Sequence, residues 1–256
     1  MQAGSEGGVA GYGWLPDPPD PRDKRIDDLA LPTTPPPALD WQRAKAAVRE
    51  VLNQGPEPAC VGYAIAGAIR ASLALDGLPD FAPSPRAIWY WARASQGREG
   101  EYSGTTIRAG MKAIAQLGLV PANLHGRMVP FDKAPSFAAL RAAYRYRGTR
   151  GYYRADDLDA VKRALAADRP VVFGMDAYQS WESYRGGTLE RWSGKLLGGH
   201  ATYLVSYDRG RLLGVNSYGL SFGEDGFYWI SEELFDRSAR DAWAADLHPE
   251  VWRQTA

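Results

Sequence analysis

The stretch NQGPEPACVGYA, residues 53–64, contains the only cysteine of this 256-residue chain. A Gly/Pro turn precedes Cys60 and an apolar run follows it, with Val61, Ile65 and Ile69 spaced four residues apart. This spacing predicts a helix that begins near Cys60 and ends at the DGLPD sequence. Free N–H groups and the positive end of the dipole at a first helical turn stabilise a thiolate. A lone cysteine is more often a small core residue, so a reactive role requires partners elsewhere in the chain.

Composition excludes several classes of protein. Lys+Arg and Asp+Glu both count 30, so we expect no nucleic-acid partner and no membrane partner. One cysteine allows no internal disulfide. The first residues lack a secretory-signal pattern, which favours a cytoplasmic protein and leaves open a non-classical export route or a phage particle. Usage rich in Ala, Arg, Gly and Pro is compatible with a GC-rich bacterial or phage genome.

Two regions of different composition divide the chain. Residues 1–38 are rich in Pro and Asp and predict an extended arm that gains order only on the body or on a partner. Residues 39–256 predict a globular domain in which helices come first and strands follow. This order favours an α+β fold with two segregated lobes.

Local signals place individual elements. Ser84 followed by Pro85 predicts the start of a helix, and the threonines before Ile107 predict another. PVVFGMDAY reads as a buried strand, and HATYLVSYDRGRLLGVNSYG reads as two strands joined at Asp208-Arg209-Gly210. We expect GFYWI and DAWAADL to be further short strands.

A histidine and an asparagine on that hairpin are candidate partners for Cys60. His200 follows two glycines at the start of a strand, and Asn216 ends the next strand. A hairpin brings these positions together, so the Asn216 amide is placed to orient the imidazole. We expect the other two histidines, His125 and His248, to face solvent.

Gln54 completes a candidate catalytic set. Its side-chain N–H and the Cys60 backbone N–H are candidate donors to a developing oxyanion. The chain then offers a nucleophile, a base, an orienting amide and an oxyanion donor, each on a plausible element.

In this ordered set the chain resembles the papain-type cysteine peptidases. The resemblance rests on Gln54-Gly55 and Cys60 at a helix start, on GGHA about 140 residues later, and on NSYGLSFGEDGFYWI. The segments PSPRAIWYWAR, SGTTIRAGMKAIAQLG and PVVFGMDAYQSW are also similar to the family, as is the N-terminal GWLPDPPDPRD.

The resemblance implies a papain-like two-lobe fold with an active-site cleft between the lobes. It implies a helical lobe over about residues 55–130 and a twisted antiparallel β lobe over about 150–235. It implies Cys60 as nucleophile, His200 as base and acid, Asn216 as orienting residue, and Gln54 in the oxyanion hole. It also implies a substrate-binding role for four residues: Ser103, Gly104, Gly199 and Tyr218.

The activity so implied is hydrolysis of peptide bonds in protein or peptide substrates through a Cys60 thioester. It needs no metal and no cofactor beyond a reduced thiol. Glu57-Pro58 departs from the family pattern before the nucleophile, and Glu57 places a negative charge near the thiol. Tyr218 stands where the family has a tryptophan.

Three alternatives remain open at this level. The chain is either a peptidase or a catalytically altered papain-fold module that binds partners. The same triad would also serve an acyl transferase or amidase. The arm is compatible with a propeptide, an inhibitor of the cleft, or a contact within a larger assembly such as a phage particle.

Overall fold

A computed structural model describes residues 11–254, which form nine α-helices and seven β-strands. The helices are α1 (Trp41–Ala47), α2 (Cys60–Leu75), α3 (Pro85–Ala94), α4 (Ile107–Leu117), α5 (Phe137–Arg145), α6 (Leu158–Ala166), α7 (Gln179–Glu182), α8 (Glu232–Ser238) and α9 (Pro249–Gln254). The strands are β1 (Thr149–Arg154), β2 (Val171–Tyr178), β3 (Thr188–Leu189), β4 (Leu196–Asp208), β5 (Arg211–Val215), β6 (Phe227–Ser231) and β7 (Ala239–Leu247). This combination of helices and a single sheet is the α+β arrangement expected from the sequence.

Helices α2, α3 and α4 pack against one another and form the helical lobe. The predicted caps are present: Ser84 accepts a hydrogen bond from the Ala87 N–H, and Thr106 accepts one from the Ala109 N–H. Helix α2 is buried along most of its length because it lies between the other helices and the sheet. Its first residue is Cys60, as the apolar spacing predicts.

A single sheet forms the second lobe, in the order β1-β7-β2-β4-β5-β6-β3. Every pairing is antiparallel except that of β3 with β6, a two-residue parallel pair at one edge of the sheet. The predicted hairpin joins β4 to β5, with Asp208 opposite Arg211. Arg209 and Gly210 both have positive φ angles, 42° and 90°, as a two-residue type I′ turn requires.

The sheet continues past residue 235, the end expected for the β lobe. Strand β7 lies between β1 and β2, with Trp243 opposite Val172. It is a central strand although it comes last in the chain, because neighbours in a sheet need not be neighbours in sequence. Helices α6 and α8 also belong to this lobe, so helices and strands are less segregated along the chain than expected.

The two lobes meet where α2 crosses β4. A Cβ atom on Gly67 would lie 2.6 Å from the Tyr203 ring, so glycine permits the close approach of helix to strand. Trp89, Trp181 and Trp243 are completely buried. This crossing places the first turn of α2, which begins at Cys60, beside strand β4.

The Pro-rich segment is extended and lies on the body over its described part, residues 11–38; residues 1–10 fall outside the described residues. Three isolated bridges join it to the body: Trp14 to Thr105, Arg25 to Arg154, and Ala38 to Asp208. Ile26 is completely buried against the sheet lobe.

Between residues 11 and 254, none of the helices has the length and apolar character needed to cross a membrane.

Candidate active site

Cys60 lies at the first turn of α2 and its thiol is free and completely buried. The N–H groups of Ala201 and Gly13 point toward the sulfur and lower the thiol pKa. Burial outweighs them and raises this pKa to about 11. The sulfur is therefore a neutral thiol while the cleft is covered.

His200 and Asn216 form the hydrogen bond expected for the hairpin. The His200 Nε2 atom lies 2.8 Å from Asn216 Oδ1, and both side chains are buried. The Ser217 N–H also donates to Asn216 Oδ1, at 2.8 Å, which fixes the orientation of the amide. Because the Asn216 Oδ1 atom can only accept a hydrogen bond, His200 Nε2 carries the proton and Nδ1 is the basic nitrogen.

The surroundings of His200 keep the imidazole neutral. Its Nδ1 atom has no hydrogen-bond partner within residues 11–254. Burial lowers its pKa to about 4, although the bond to Asn216 opposes this shift. Tyr218 and Trp181 flank the ring, with centroids 5.0 and 5.7 Å from the imidazole. Tyr218 thus stands beside the His–Asn pair, and nothing in the sequence singles out Trp181 among the nine tryptophans.

Gln54 is completely buried beside Cys60's loop. Its Nε2 atom donates to the carbonyl oxygens of Glu57, at 2.7 Å, and Gly11, at 2.8 Å. Its Oε1 atom accepts a 2.6 Å hydrogen bond from the Ser217 hydroxyl. Ser217 therefore touches both the Gln54 and the Asn216 amides, a positioning role that the sequence analysis missed. Its place directly after Asn216 was the available signal.

The N-terminal segment fills the cleft. The N–H of Trp14 donates to the Gly199 carbonyl at 3.0 Å, on the β-lobe side. On the helical side the Thr105 N–H donates to the Gly13 carbonyl at 2.8 Å, and the Leu15 N–H donates to the Thr105 carbonyl at 3.0 Å. The segment thus pairs with both walls of the cleft, as an added strand does.

Of the four expected substrate-binding residues, three contact this segment, Tyr218 through the Tyr12 hydroxyl. Gly199 accepts its N–H, and a Cβ on Gly104 would lie 2.0 Å from the Gly13 carbonyl oxygen. Tyr218 lies beside the His–Asn pair. The Ser103 carbonyl instead accepts a hydrogen bond from the Trp89 indole, so this residue supports the wall from behind.

Glycine and aromatic residues alternate in the covering segment, and they face opposite walls. A Cβ on Gly11 would lie 2.0 Å from the Glu57 carbonyl oxygen, and one on Gly13 would lie 2.1 Å from that of Pro58. The Tyr12 ring contacts His200 edge-on, at 5.9 Å between centroids. The segment is therefore fitted to this cleft by its pattern of small and large residues.

The Trp14 indole fits against the glycines of the opposite wall. A Cβ on Gly174 would lie 2.0 Å from the Trp14 ring, and Trp14 is buried with Ala201 in the core between the lobes. Further along the segment, the Asp17 N–H donates to Asp241 Oδ2 at 2.8 Å. Burial raises the pKa of the Asp17 carboxyl, with the hydrogen bonds of Thr106 and Arg108 opposing that rise. These contacts hold the segment on both sides of Cys60 and His200.

The negative charge of Glu57 is neutralised by a partner. Its carboxylate pairs with the guanidinium of Arg86, which is itself buried. Burial is the main cause of the raised Cys60 pKa, and backbone N–H groups oppose it. Arg86, 29 residues along the chain, compensates the negative charge that the sequence places near the thiol.

Two expectations about histidines are wrong. His125 is only 3% exposed, and its carbonyl accepts a 2.6 Å hydrogen bond from the Ser84 hydroxyl. His248 is half-buried at the end of β7, with its Nδ1 atom inaccessible. Neither joins a metal site: within residues 11–254, no three metal-ligating side chains gather.

The sequence of this chain is similar to those of known proteins. A sequence profile described as papain family cysteine protease matches residues 35–239, which include the cysteine, histidine and asparagine of the site. An uncharacterized peptidase C1-like protein of Acanthamoeba polyphaga mimivirus is 25% identical over 233 residues, which cover 78% of this chain and 75% of that protein.

Solved structures are similar over nearly the whole chain. Xylellain, a cysteine protease from Xylella fastidiosa, superposes with a TM-score of 0.76 and 29% identity, covering 93% of this chain and 97% of that one. Procathepsin L2 from the Tenebrio molitor larval midgut has a TM-score of 0.74 at 20% identity, covering 94% of this chain and 79% of that one. The second likeness concerns the fold alone.

Proposed function

Because this chain belongs to the papain family of cysteine proteases, and is thereby a thiol peptidase, we propose that Cys60, His200, Asn216 and Gln54 carry its peptide-bond hydrolysis. Cys60 is the nucleophile and His200 the base and acid. Asn216 orients the imidazole, and Gln54 donates to the oxyanion. Proteins or peptides are the substrates.

One observation carries this assignment: the hydrogen bond between His200 Nε2 and Asn216 Oδ1. It selects the imidazole tautomer whose Nδ1 atom is free to accept a proton. The Ser217 N–H holds the amide in the same orientation. The imidazole is thus prepared to act as a base on a group within the cleft, where Cys60 begins its helix.

The proposed reaction begins with a proton transfer from the thiol. His200 Nδ1 takes the thiol proton, and the Cys60 sulfur attacks a peptide carbonyl carbon. The Gln54 Nε2–H and the Cys60 N–H stabilise the oxyanion. The C–N bond breaks as the imidazolium protonates the leaving amine, which leaves a thioester on Cys60. Water, deprotonated by His200, hydrolyses the thioester and restores the thiol.

The closed chain is an inhibited form of this peptidase. Residues 11–15 occupy the place of a substrate, and the Gly11 carbonyl takes a Gln54 donor. The Gly13 N–H points toward the sulfur. Because the segment occupies the cleft beside Cys60, it must leave before a substrate enters.

The assignment is tested by active-site labelling of the full chain in a Gly13→Ala background. This change should open the cleft, because a Cβ at residue 13 would lie 2.1 Å from the Pro58 carbonyl oxygen. A papain-directed epoxide is added under reducing conditions and the intact mass is measured. Hydrolysis of a fluorogenic peptide mixture is measured in parallel. Cys60→Ala and His200→Ala are the test variants, and His248→Ala is the matched control.

We expect one label per chain and peptide hydrolysis in the Gly13→Ala chain and in the control. Both test variants should lose label and hydrolysis. Labelling with transfer to added amines and no hydrolysis would favour an acyl transferase instead. A folded, open chain that stays unlabelled at Cys60 would refute catalysis and favour a binding module.

A further inference from the structure

A second cavity, apart from the catalytic cleft, lies on the helical lobe. Its volume is about 300 Å³, many times the roughly 30 Å³ that one water occupies in the liquid. It is enclosed by three segments: residues 50–53, one face of α2, and the loops at 82–86 and 122–127. No group of the proposed catalytic set lines it, although Asn53 directly precedes Gln54.

Most of the wall is apolar. The apolar residues that line the cavity are Val51, Leu52, Ala66, Ala82, Pro83, Pro85 and Ala122. An apolar wall of this extent favours a ligand with a hydrocarbon body over a bare inorganic ion, because burial of apolar surface supplies binding free energy.

Three arginines reach the cavity, and one of them has no partner. Arg70 pairs with Asp80 and Glu50, and Arg86 pairs with Glu57, so these charges are compensated. Arg127 is exposed and makes no ion pair or hydrogen bond with any other residue between 11 and 254. It is the uncompensated positive charge of the cavity.

Arg127 lies near Gly55 and Tyr63. A Cβ on Gly55 would lie 2.9 Å from its Nη2 atom, and its charge lowers the pKa of Tyr63 against the larger effect of burial. Tyr63 lines the cavity, and its buried hydroxyl has no hydrogen-bond partner among the described residues. A buried hydroxyl without a partner is costly unless a ligand or water satisfies it.

His125 adds a third polar group. It lines the same cavity, is 3% exposed, and its ring makes no hydrogen bond within the described part of the chain. Burial, and then the nearby charge of Arg86, lower its pKa, so the ring is neutral near pH 7. A neutral imidazole offers one N–H donor.

From these groups we infer that the cavity binds a small organic carboxylate with an apolar body. The carboxylate lies at the Arg127 guanidinium, within reach of the His125 and Tyr63 donors. The hydrocarbon body lies along the wall of Leu52, Ala66 and neighbouring residues. A guanidinium and neutral donors around one acceptor are the arrangement that a carboxylate requires.

The test is binding of 3-phenylpropanoate to the full chain, measured by isothermal titration calorimetry. The neutral isostere 3-phenylpropanamide and inorganic phosphate are titrated beside it. No peptide substrate is present, so the result does not depend on whether the chain hydrolyses peptides. We expect saturable binding of the carboxylate with a Kd below about 1 mM. The amide and phosphate should bind roughly tenfold more weakly, since each lacks one of the two recognised features.

Arg127→Gln should weaken carboxylate binding roughly tenfold and leave amide binding unchanged, because it removes only the charge. Arg145→Gln, an exposed arginine on α5 outside the cavity, is the matched control and should change neither. Tyr63→Phe removes a single hydroxyl and should also weaken binding of the carboxylate.

Three results would overturn the inference. They are equal affinity for carboxylate and amide, carboxylate binding that survives Arg127→Gln, and phosphate binding as tightly as the carboxylate.

Discussion

Replacing Gly13 by alanine tests whether residues 11–15 hold the cleft closed. A Cβ atom on Gly13 would lie 2.1 Å from the Pro58 carbonyl oxygen and 2.7 Å from the Pro58 Cα. Both are backbone atoms of the loop that leads into Cys60, so no flexible side chain can give way. The alanine variant must lift the segment out of its present position.

The size of the effect follows from the hydrogen bonds that such a shift breaks. The Thr105 N–H loses the Gly13 carbonyl, and the Trp14 N–H loses the Gly199 carbonyl. Each bond contributes about 1 kcal/mol net, so docking weakens by about 2 kcal/mol. At 1.4 kcal/mol per factor of ten, the open fraction rises about 30-fold.

The assay is the rate at which a thiol-directed epoxide labels the intact chain, followed by mass so that cleaved protein is recognised. When opening is rapid, this rate is proportional to the open fraction, so Gly13→Ala should label about 30-fold faster than wild type. Gly100→Ala is the matched control, because a Cβ there meets nothing within 4 Å and its φ is not positive. Equal rates for wild type and Gly13→Ala, with both chains folded, would refute the closed-cleft argument.

Further predictions concern catalysis, pH and stability. In the opened variant, Asn216→Ala should lower kcat roughly 10- to 150-fold, since a hydrogen bond to a charged group contributes about 1.5–3 kcal/mol; steady-state kinetics check this, with the exposed Asn123→Ala unchanged. Burial lowers the pKa of His200 to about 4 in the closed wild type. Opening therefore takes up a proton below the ordinary value of about 6.5, and labelling should accelerate as pH falls from there toward 4. Asp17 opposes this, because burial raises its pKa and opening releases its proton; Asp17→Asn should steepen the acid response, and an unchanged pH profile would contradict both assignments. Arg93 is buried and donates to three backbone carbonyls, so Arg93→Met should lower the free energy of unfolding by about 3 kcal/mol, and an unchanged urea midpoint would contradict this.

Local signals in the sequence were sufficient for the proposed catalytic set. Cys60 begins a helix because apolar spacing and a preceding turn place the boundary there. His200 and Asn216 meet because Arg209 and Gly210 adopt the turn that a hairpin needs. Each of these features depends on residues close in the chain, which a single sequence displays.

Features that depend on distant contacts were not predictable in the same way. Arg86 compensates Glu57 across the helical lobe, and nothing near Glu57 in the sequence announces it. His125 is buried and its carbonyl accepts a hydrogen bond from Ser84, which lies 41 residues upstream. Strand β7 reads as a short final strand, yet its position between β1 and β2 is set by pairing with residues far upstream.

The covering segment is intermediate between these cases, because its pattern is local and its partner is distant. GYGW, residues 11–14, alternates glycine with aromatic residues, so an extended chain presents two bare positions to one wall and two rings to the other. Alone, that pattern is also compatible with a flexible glycine-rich terminus. It becomes specific only against a cleft whose own walls have glycine at residues 104, 174 and 199. A substrate with a Cβ atom at the two bare positions cannot lie in the cleft as this segment does. Under the proposed function, the glycines distinguish the covering segment from substrates, and a single methyl group at residue 13 should be enough to open the cleft.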